Sequence, residues 1–322
     1  MCHNRPMEKQ QLKDIEQWIA ERYSITPTAV SVLRKYTNDV YLVQTATDKV
    51  VLKIYGKDWR TESEIRYEID LLQHLGNKGV LIANTLPAKD GDRLQVFTDS
   101  QEGERLAVLF EYAIGDKPQA PFTTDLYRLF GQAVAAMHNG SDDFSTPHQR
   151  PKLDLDYLVN NPLRLAQPLL TNRPDDKTFL DSLAERINTK IASLKPQDLD
   201  WGVVHGDMTL DNLHITSDNK ICLYDFDSGG PGWRASDIQG WTLLEKEEAK
   251  GQAFRKGYSE VRPIKETDLL AAPYMVAAWD IWGLSPSLTK KVEKQSREET
   301  DKYLDGILVG LRKIDQQISS IT

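Results

Sequence analysis

Val203-Val204-His205-Gly206-Asp207-Met208-Thr209-Leu210-Asp211-Asn212-Leu213 opens the stretch whose reading decides the fold, and Ile221-Cys222-Leu223-Tyr224-Asp225-Phe226-Asp227 closes it. Two short apolar runs, bounded by Gly, Asp and Asn, predict two short strands. The loop between them carries Asp207 and, five positions on, Asn212; Asp225 ends the second run. Strand ends and loops are where reacting groups are usually presented.

The spacing has a chemical reason. Phosphoryl transfer needs a carboxylate that orients an attacking hydroxyl and takes its proton. It also needs oxygen ligands for the magnesium that bridges the phosphates. Asp207, Asn212 and Asp225 supply all three, in the order of a kinase catalytic loop followed by its metal-binding aspartate, with Gly206 where protein kinases carry Arg. The alternative is a solvated hairpin with chance acidic residues, but several elements would then have to coincide in order. His205-Gly206-Asp207-x-x-x-x-Asn212 followed by Tyr224-Asp225-Phe226-Asp227 resembles the phosphotransferase family of aminoglycoside phosphotransferases, choline kinases and type II homoserine kinases. The resemblance covers roughly residues 25–310 and is strongest at 203–240. It implies an α+β, bilobal protein-kinase-like fold: an N-lobe of five antiparallel strands with a helix, and a mainly helical C-lobe.

Composition sets bounds. The chain has 322 residues, enough for two lobes, with 40% hydrophobic and 27% charged residues, as in ordinary globular proteins. Cys2 and Cys222 are the only cysteines, so a disulfide framework is not expected and a reducing cytoplasm fits. No apolar leader segment is visible. The apolar stretch 269–279 contains Pro273 and is too short to span a bilayer. The net charge of −8, concentrated in residues 141–322, disfavours nucleic acid as a partner and is compatible with cationic substrates. Neither repeats nor low-complexity segments occur, and nothing indicates the oligomeric state.

Upstream of the catalytic stretch, residues 7–23 predict an amphipathic helix, and 29–34, 40–46 and 50–55 three antiparallel strands. The first turn, Tyr36-Thr37-Asn38-Asp39, lies where a kinase places its phosphate-covering loop but lacks glycine. Backbone approach to phosphate would then rely on Asn38 and Asp39 adopting unusual dihedrals. Lys53, alone in an apolar strand, is implied by the family to hold the α- and β-phosphates of ATP. Thr61-Glu62-Ser63-Glu64 predicts a capping box that starts a helix ending near Leu75. Glu68 lies beside its apolar stripe and is the expected partner of Lys53, with Glu62 and Glu64 as solvated rivals. Two further strands, 94–98 and 105–112, lead to a Gly- and Pro-marked linker. The lobe boundary is placed there, giving a nucleotide-binding lobe over 1–113 and a catalytic and acceptor-binding lobe over 114–322. The resemblance implies that backbone groups of Glu111 and Ala113 bond adenine.

Downstream, helices are predicted at 124–139, at roughly 157–170 and at 178–194, and throughout 240–319. His138 and His205 are expected to support the catalytic loop. Asp211 should face solvent or the acceptor. Asp227, two after Asp225, is either a second metal ligand or a partner of the loop. Residues 228–234 predict a flexible turn. Asp237 is expected to open a helix and, by resemblance, to brace the catalytic loop. Trp279-Asp280-Ile281-Trp282 is either an aromatic and acidic wall for a cationic acceptor or core packing between helices.

The sequence therefore predicts a magnesium-requiring kinase that moves the γ-phosphoryl of ATP, or GTP, to a hydroxyl of a small molecule: an amino alcohol, an amino acid such as homoserine, or an aminoglycoside-like compound. Residues 59–65 and 232–234 look most like the homoserine-kinase and stress-response-kinase branch, which makes a Ser/Thr protein kinase the second reading. Against it, no activation segment ending in Ala-Pro-Glu follows Asp225. A nucleotide-binding scaffold without catalysis is the third, and would be expected to lack one of Lys53, Asp207, Asn212 and Asp225.

Overall fold

A computed structural model describes residues 5–99, 103–194, 198–238, 248–284 and 297–320. The chain divides into two compact units that are not consecutive in sequence. The first joins Met1–Pro118, Asp143–Arg150 and Leu210–Asp227; the second joins Gln119–Asp142, Pro151–Thr209 and Ser228–Thr322.

The first unit is built on five antiparallel strands: β1 (Ala29–Lys35), β2 (Asp39–Gln44), β3 (Lys49–Ile54), β4 (Leu94–Asp99) and β5 (Gly103–Glu111). Their spatial order is β1-β2-β3-β5-β4. The period-2 alternation of β3 sorts its side chains. Leu52 and Ile54 join Ile15 and Ile19 of helix α1 (Arg5–Arg22) in one apolar core, together with Tyr41, Val43 and Leu109. Val51 and Lys53 are the alternate residues of that strand and line a cavity. Helix α2 (Glu62–Asn77) starts on the expected capping box: the Thr61 hydroxyl accepts from the Glu64 N–H, and the Glu64 carboxylate accepts from the Thr61 N–H. Ile65, Ile69 and Leu72 are buried, and so is Glu68. The unit also contains the hairpin of β7 (Leu213–Ile215) and β8 (Ile221–Leu223).

The second unit is mainly helical: α3 (Thr124–Gly140), α4 (Asn161–Ala166), α5 (Pro174–Ser193), α6 (Glu248–Ser259), α7 (Glu266–Trp282) and α8 (Arg297–Ser319). Its core gathers Leu158, Ile187, Ile191, Trp233, Met275, Ile281, Leu304 and Leu311. The single helix expected at 157–170 is instead a π-turn at Asp156–Asn160, then α4, then a 3₁₀ turn at Gln167–Leu170. Pro162 and Pro168 stand at the starts of the last two segments, where a missing N–H costs nothing. Parts of the expected helical run over 240–319, namely 239–247 and 285–296, lie outside the described residues, and so does Cys2.

The two apolar runs of residues 203–227 do not pair with each other. Strand β6 (Trp201–Val204) pairs with β9 (Gly230–Trp233), whereas β8 pairs with β7. The flexible turn expected at 228–234 is thus corrected to a strand. Gly230, Pro231 and Gly232 are poor strand formers, which hid it. The two-stranded ladder tolerates them because both of its strands are edges. The Pro231 carbonyl accepts from the Leu153 N–H at 2.7 Å.

Helices α3 and α6 pack backbone to backbone. A Cβ added at Gly131 would overlap the Phe254 carbonyl, and one added at Gly257 the Arg128 carbonyl. Gly257→Ala is therefore expected to cost about 1–3 kcal/mol. The urea midpoint should fall with the slope of the transition unchanged; an unshifted midpoint would contradict the contact.

Candidate active site

Lys53 is 5% exposed and reaches Asp225 Oδ1 at 2.8 Å and Glu68 Oε1 at 3.6 Å. Burial alone would lower the Lys53 ammonium. Asp225 and then Glu68 outweigh it and hold the group charged well above its ordinary range. Burial would raise the Asp225 carboxyl, and Lys53 leads the charges that hold it below its ordinary range instead. Arg34 contributes too, its Nη2 lying 3.0 Å from Asp225 Oδ2. Asp225 has a left-handed backbone, φ 63°, which Asp tolerates better than most residues and which is typical of strained functional positions.

The β7–β8 hairpin explains why Asn212 and Asp225 occur together. Leu213 is opposite Leu223, so Asn212 and Tyr224 form the next pair, closed by a Tyr224 N–H donating to the Asn212 carbonyl at 3.1 Å. Both Asn212 and Asp225 line the cavity of about 430 Å³ that also meets Lys53, Val40, Val51, Phe110 and Ala113. Pockets of this size take small ligands and cofactors. At its far end Glu111 donates its N–H to Asn84, and Ala113 accepts at its carbonyl from His214 Nδ1 at 2.8 Å. Asp211 also lines the cavity; its side chain is 90% exposed, 3.8 Å from Lys117 Nζ. Among the described residues no three His, Cys, Asp or Glu side chains gather as a metal cage. An amide oxygen and a carboxylate on one cavity wall fit a hard ion such as magnesium, which keeps waters and uses substrate phosphates as its other ligands.

Asp227 is buried and its carboxylate is surrounded by donors. Asn38 Nδ2 donates at 2.7 Å, Trp59 Nε1 at 2.9 Å and Arg60 Nε at 3.3 Å, and Arg150 Nη2 lies 3.9 Å away. Burial would raise this carboxyl; Lys53, Arg60 and Arg150 hold it far below the usual carboxylate range. These protein donors occupy the oxygens that a second metal ion would need. Asn38 is correspondingly buried, and its side-chain Oδ1 accepts from the Gly56 N–H at 3.1 Å. Among the described residues the positive-φ positions other than glycine are Asp58, Asn219 and Asp225. The expected unusual dihedrals at Asn38 and Asp39 are therefore not found: Asp39 is an ordinary strand residue opposite Ile54, and Asn38 is tied down by its side chain.

Arg150, which no local pattern flags, joins the two acidic centres. It donates to Glu68 Oε2 at 3.0 Å, to the Phe226 carbonyl at 2.9 Å and to the Glu64 carbonyl at 2.9 Å. Tyr55 adds its hydroxyl to Glu68 Oε2 at 3.2 Å.

In the second unit, Asp207 is solvent-exposed and His205 fully buried. The Asp207 N–H donates to His205 Nδ1 at 3.3 Å, which makes that ring nitrogen an acceptor. Asp237 Oδ2 accepts from the His205 N–H at 2.7 Å and Asp237 Oδ1 from the Gly206 N–H at 3.0 Å. His138 closes the chain, 3.1 Å from Asp237 Oδ2 and 2.7 Å from the Tyr258 hydroxyl. Burial holds His138 below its ordinary range, so the ring is neutral. Asp237 follows a 3₁₀ turn, Arg234–Ser236; the helix it was expected to open lies outside the described residues. Gly206 has φ 77°, and a Cβ there would lie 2.7 Å from the Ser228 carbonyl oxygen and 2.9 Å from the Trp279 ring. An Arg at this position, as in protein kinases, cannot be accommodated.

Trp279 and Trp282 meet edge to face, ring centroids 5.3 Å apart, and Tyr157 stacks on Trp282. Both indoles pack against the core yet remain partly exposed, so packing and a ligand wall are compatible. Trp279 Nε1 is buried without an acceptor among the described residues. Solvent reaches Asp280, but the chain crowded around it pushes its carboxyl up to about 6 through burial.

The donors around Asp227 make stability depend on pH. The folded pKa of Asp227 is depressed, so its stabilisation is complete above the ordinary carboxylate range and is lost as pH falls through and below about 4. Asp227→Asn should flatten the acid limb of stability between about pH 5 and 3 in urea titrations. Asp227→Ala, which removes the acceptor of Asn38, Trp59 and Arg60 while Arg60 keeps Glu64 and Arg150 keeps Glu68, should cost about 1–3 kcal/mol. An acid limb identical in Asp227→Asn and the parent would contradict this role.

A sequence profile of the phosphotransferase enzyme family matches residues 29–263. A homoserine kinase of Agrobacterium fabrum is 30% identical over 253 residues, covering 74% of this chain and 72% of its own. An uncharacterized protein of Deinococcus radiodurans is 37% identical over 272 residues, 82% of this chain and 78% of its own. Among solved structures, an amicoumacin kinase in complex with AMP-PNP, Ca2+ and its ligand matches with a TM-score of 0.71 at 20% identity, covering 96% of this chain and 93% of that one. The α+β, protein-kinase-like fold expected from the sequence is the fold of the chain. Among the described residues no helix is long and apolar enough to cross a membrane. The chain belongs to the phosphotransferase enzyme family, whose characterised relatives here are small-molecule kinases, and it is itself a phosphotransferase.

Proposed function

We propose that the protein transfers the γ-phosphoryl group of ATP, as its magnesium complex, to the hydroxyl of a small cationic amino alcohol or amino acid. The observation that carries the reading is the buried Lys53 held between Asp225 and Glu68 on the wall of the first unit's cavity. Adenine would take its hydrogen bonds from backbone groups at Glu111 and Ala113. Lys53 would hold the α- and β-phosphates. Asn212 and Asp225 are the residues that would hold magnesium, which when bound neutralises charge developing on the phosphates. Asp227 is assigned to bracing rather than to the metal, on the strength of its protein donors.

Asp207 is assigned as the base. It accepts the acceptor's hydroxyl proton as that oxygen bonds to the γ-phosphorus, and the bond from phosphorus to the β–γ bridging oxygen breaks to release ADP. His205 and Asp237 hold the backbone on either side of Gly206, which fixes the loop that presents Asp207. Preference for a cation rests on Asp280 beside two partly exposed indoles. Homoserine, an amino alcohol by its chemistry, is the acceptor of a relative by name. The protein-kinase reading finds no corresponding support.

Two experiments test this. Asp207→Asn should bind ATP as the parent does while kcat falls about 10²–10⁴-fold; equal turnover would reject the assignment. For a permanently charged amino alcohol, KM should fall about tenfold between pH 5 and 7 as Asp280 ionises with its pKa near 6. Asp280→Asn should remove that dependence, and a KM profile with the same slope in this variant would reject the cation site.

A further inference from the structure

Arg34 lies just past a register irregularity in β1, between Val32 and Arg34, and it lines the cavity. Bulges of this kind re-aim a side chain next to a site. With Arg34 on Oδ2 and Lys53 on Oδ1, both carboxylate oxygens of Asp225 are held by cations, at 3.0 and 2.8 Å. The two cations are not equivalent. Lys53 has a 6% exposed side chain and a second carboxylate, Glu68, behind it. Arg34 has a side chain 53% exposed, and Asp225 is its partner.

A divalent ion on Asp225 repels a guanidinium on the same carboxylate, and Arg34 is the group able to leave. Released, it remains on a strand over the cavity into which a triphosphate would bring several negative charges. A guanidinium pairs with phosphate oxygens in a bidentate manner, and more strongly than a lysine does. We propose that Arg34 is a phosphate-positioning residue that exchanges partners: it neutralises Asp225 until metal and nucleotide arrive, then clamps the terminal phosphates. The exchange supplies from a side chain what the turn at 36–39, which has no glycine, does not supply from a flexible backbone. It also makes the metal site and the phosphate site interdependent, since the ion is admitted as the arginine finds its second partner.

The proposal rests on the nucleotide reading above, and its test separates the two. Full-length parent, Arg34→Met and Arg34→Lys are titrated calorimetrically with ATP and with adenosine in the presence of Mg2+, and with Mn2+ alone by paramagnetic resonance. Arg34→Met should weaken ATP about tenfold or more while adenosine affinity stays within about twofold, because only the charge-assisted phosphate contacts are lost. Arg34→Lys should recover part of the loss. Without nucleotide, Arg34→Met should bind Mn2+ more tightly than the parent, because the competing cation is gone. An unchanged ratio of ATP to adenosine affinity overturns the proposal, whether neither affinity moves or both weaken equally, as they would for a merely structural residue. A parent that binds neither ATP nor adenosine overturns the nucleotide reading itself, and the clamp with it.

Discussion

A buried ammonium between two carboxylates is the constraint on which the rest of the first unit depends. Lys53 cannot stay charged inside an apolar strand without Asp225 and Glu68, and Lys53 in turn leads the charges that hold the Asp225 carboxyl below its ordinary range. The elements carrying them meet for that reason: β3 brings the lysine, α2 the glutamate, and the β7–β8 hairpin the aspartate, 172 positions from Lys53. Such an arrangement is weak as a source of stability, since apolar residues of the same volume would do as well. Its consequence is a fixed positive charge and a carboxylate that line the same cavity.

A second layer keeps that arrangement in register. Arg150 ties Glu68 to the Phe226 carbonyl, and Asn38, Trp59 and Arg60 converge on Asp227. The strained backbone of Asp225 is thus flanked by a residue with saturated hydrogen bonds, so its φ of 63° is held by its surroundings rather than by its own preference. The second unit uses the same device with different groups. Tyr258, His138 and Asp237 form a buried chain that ends on the backbone of His205 and Gly206, immediately before Asp207. A neutral histidine is the appropriate link, because a charged one would need solvation that the site does not offer.

Residue types at fixed spacing were readable from the chain wherever the chemistry is local. The capping box at Thr61, the alternation of the strands and the Asp-x-x-x-x-Asn run each carry their own signature within a few residues. What stayed hidden depends on partners far away in sequence. Arg150 sits in a polar, proline-rich stretch, and its partner Glu68 lies 82 positions upstream. Arg34 looks like any outward residue of an exposed strand until the irregularity beside it is seen. Strand β9 was hidden by Gly-Pro-Gly, whose intrinsic preferences are overridden by pairing with β6. Asp227 could not be resolved between ligand and brace, because the decision is made by three donors that local spacing does not bring to it.

The claim at the centre is that the Lys53–Asp225 wall binds a magnesium nucleotide for transfer to a small hydroxyl acceptor. The most direct measurement is phosphorus-31 NMR of ATP turnover with a panel of amino alcohols and hydroxy amino acids, comparing the parent with Lys53→Met. The account predicts a new phosphomonoester resonance and stoichiometric ADP from the parent, dependent on magnesium and absent from a folded Lys53→Met. A Lys53→Met variant that forms the phosphomonoester as fast as the parent would contradict it.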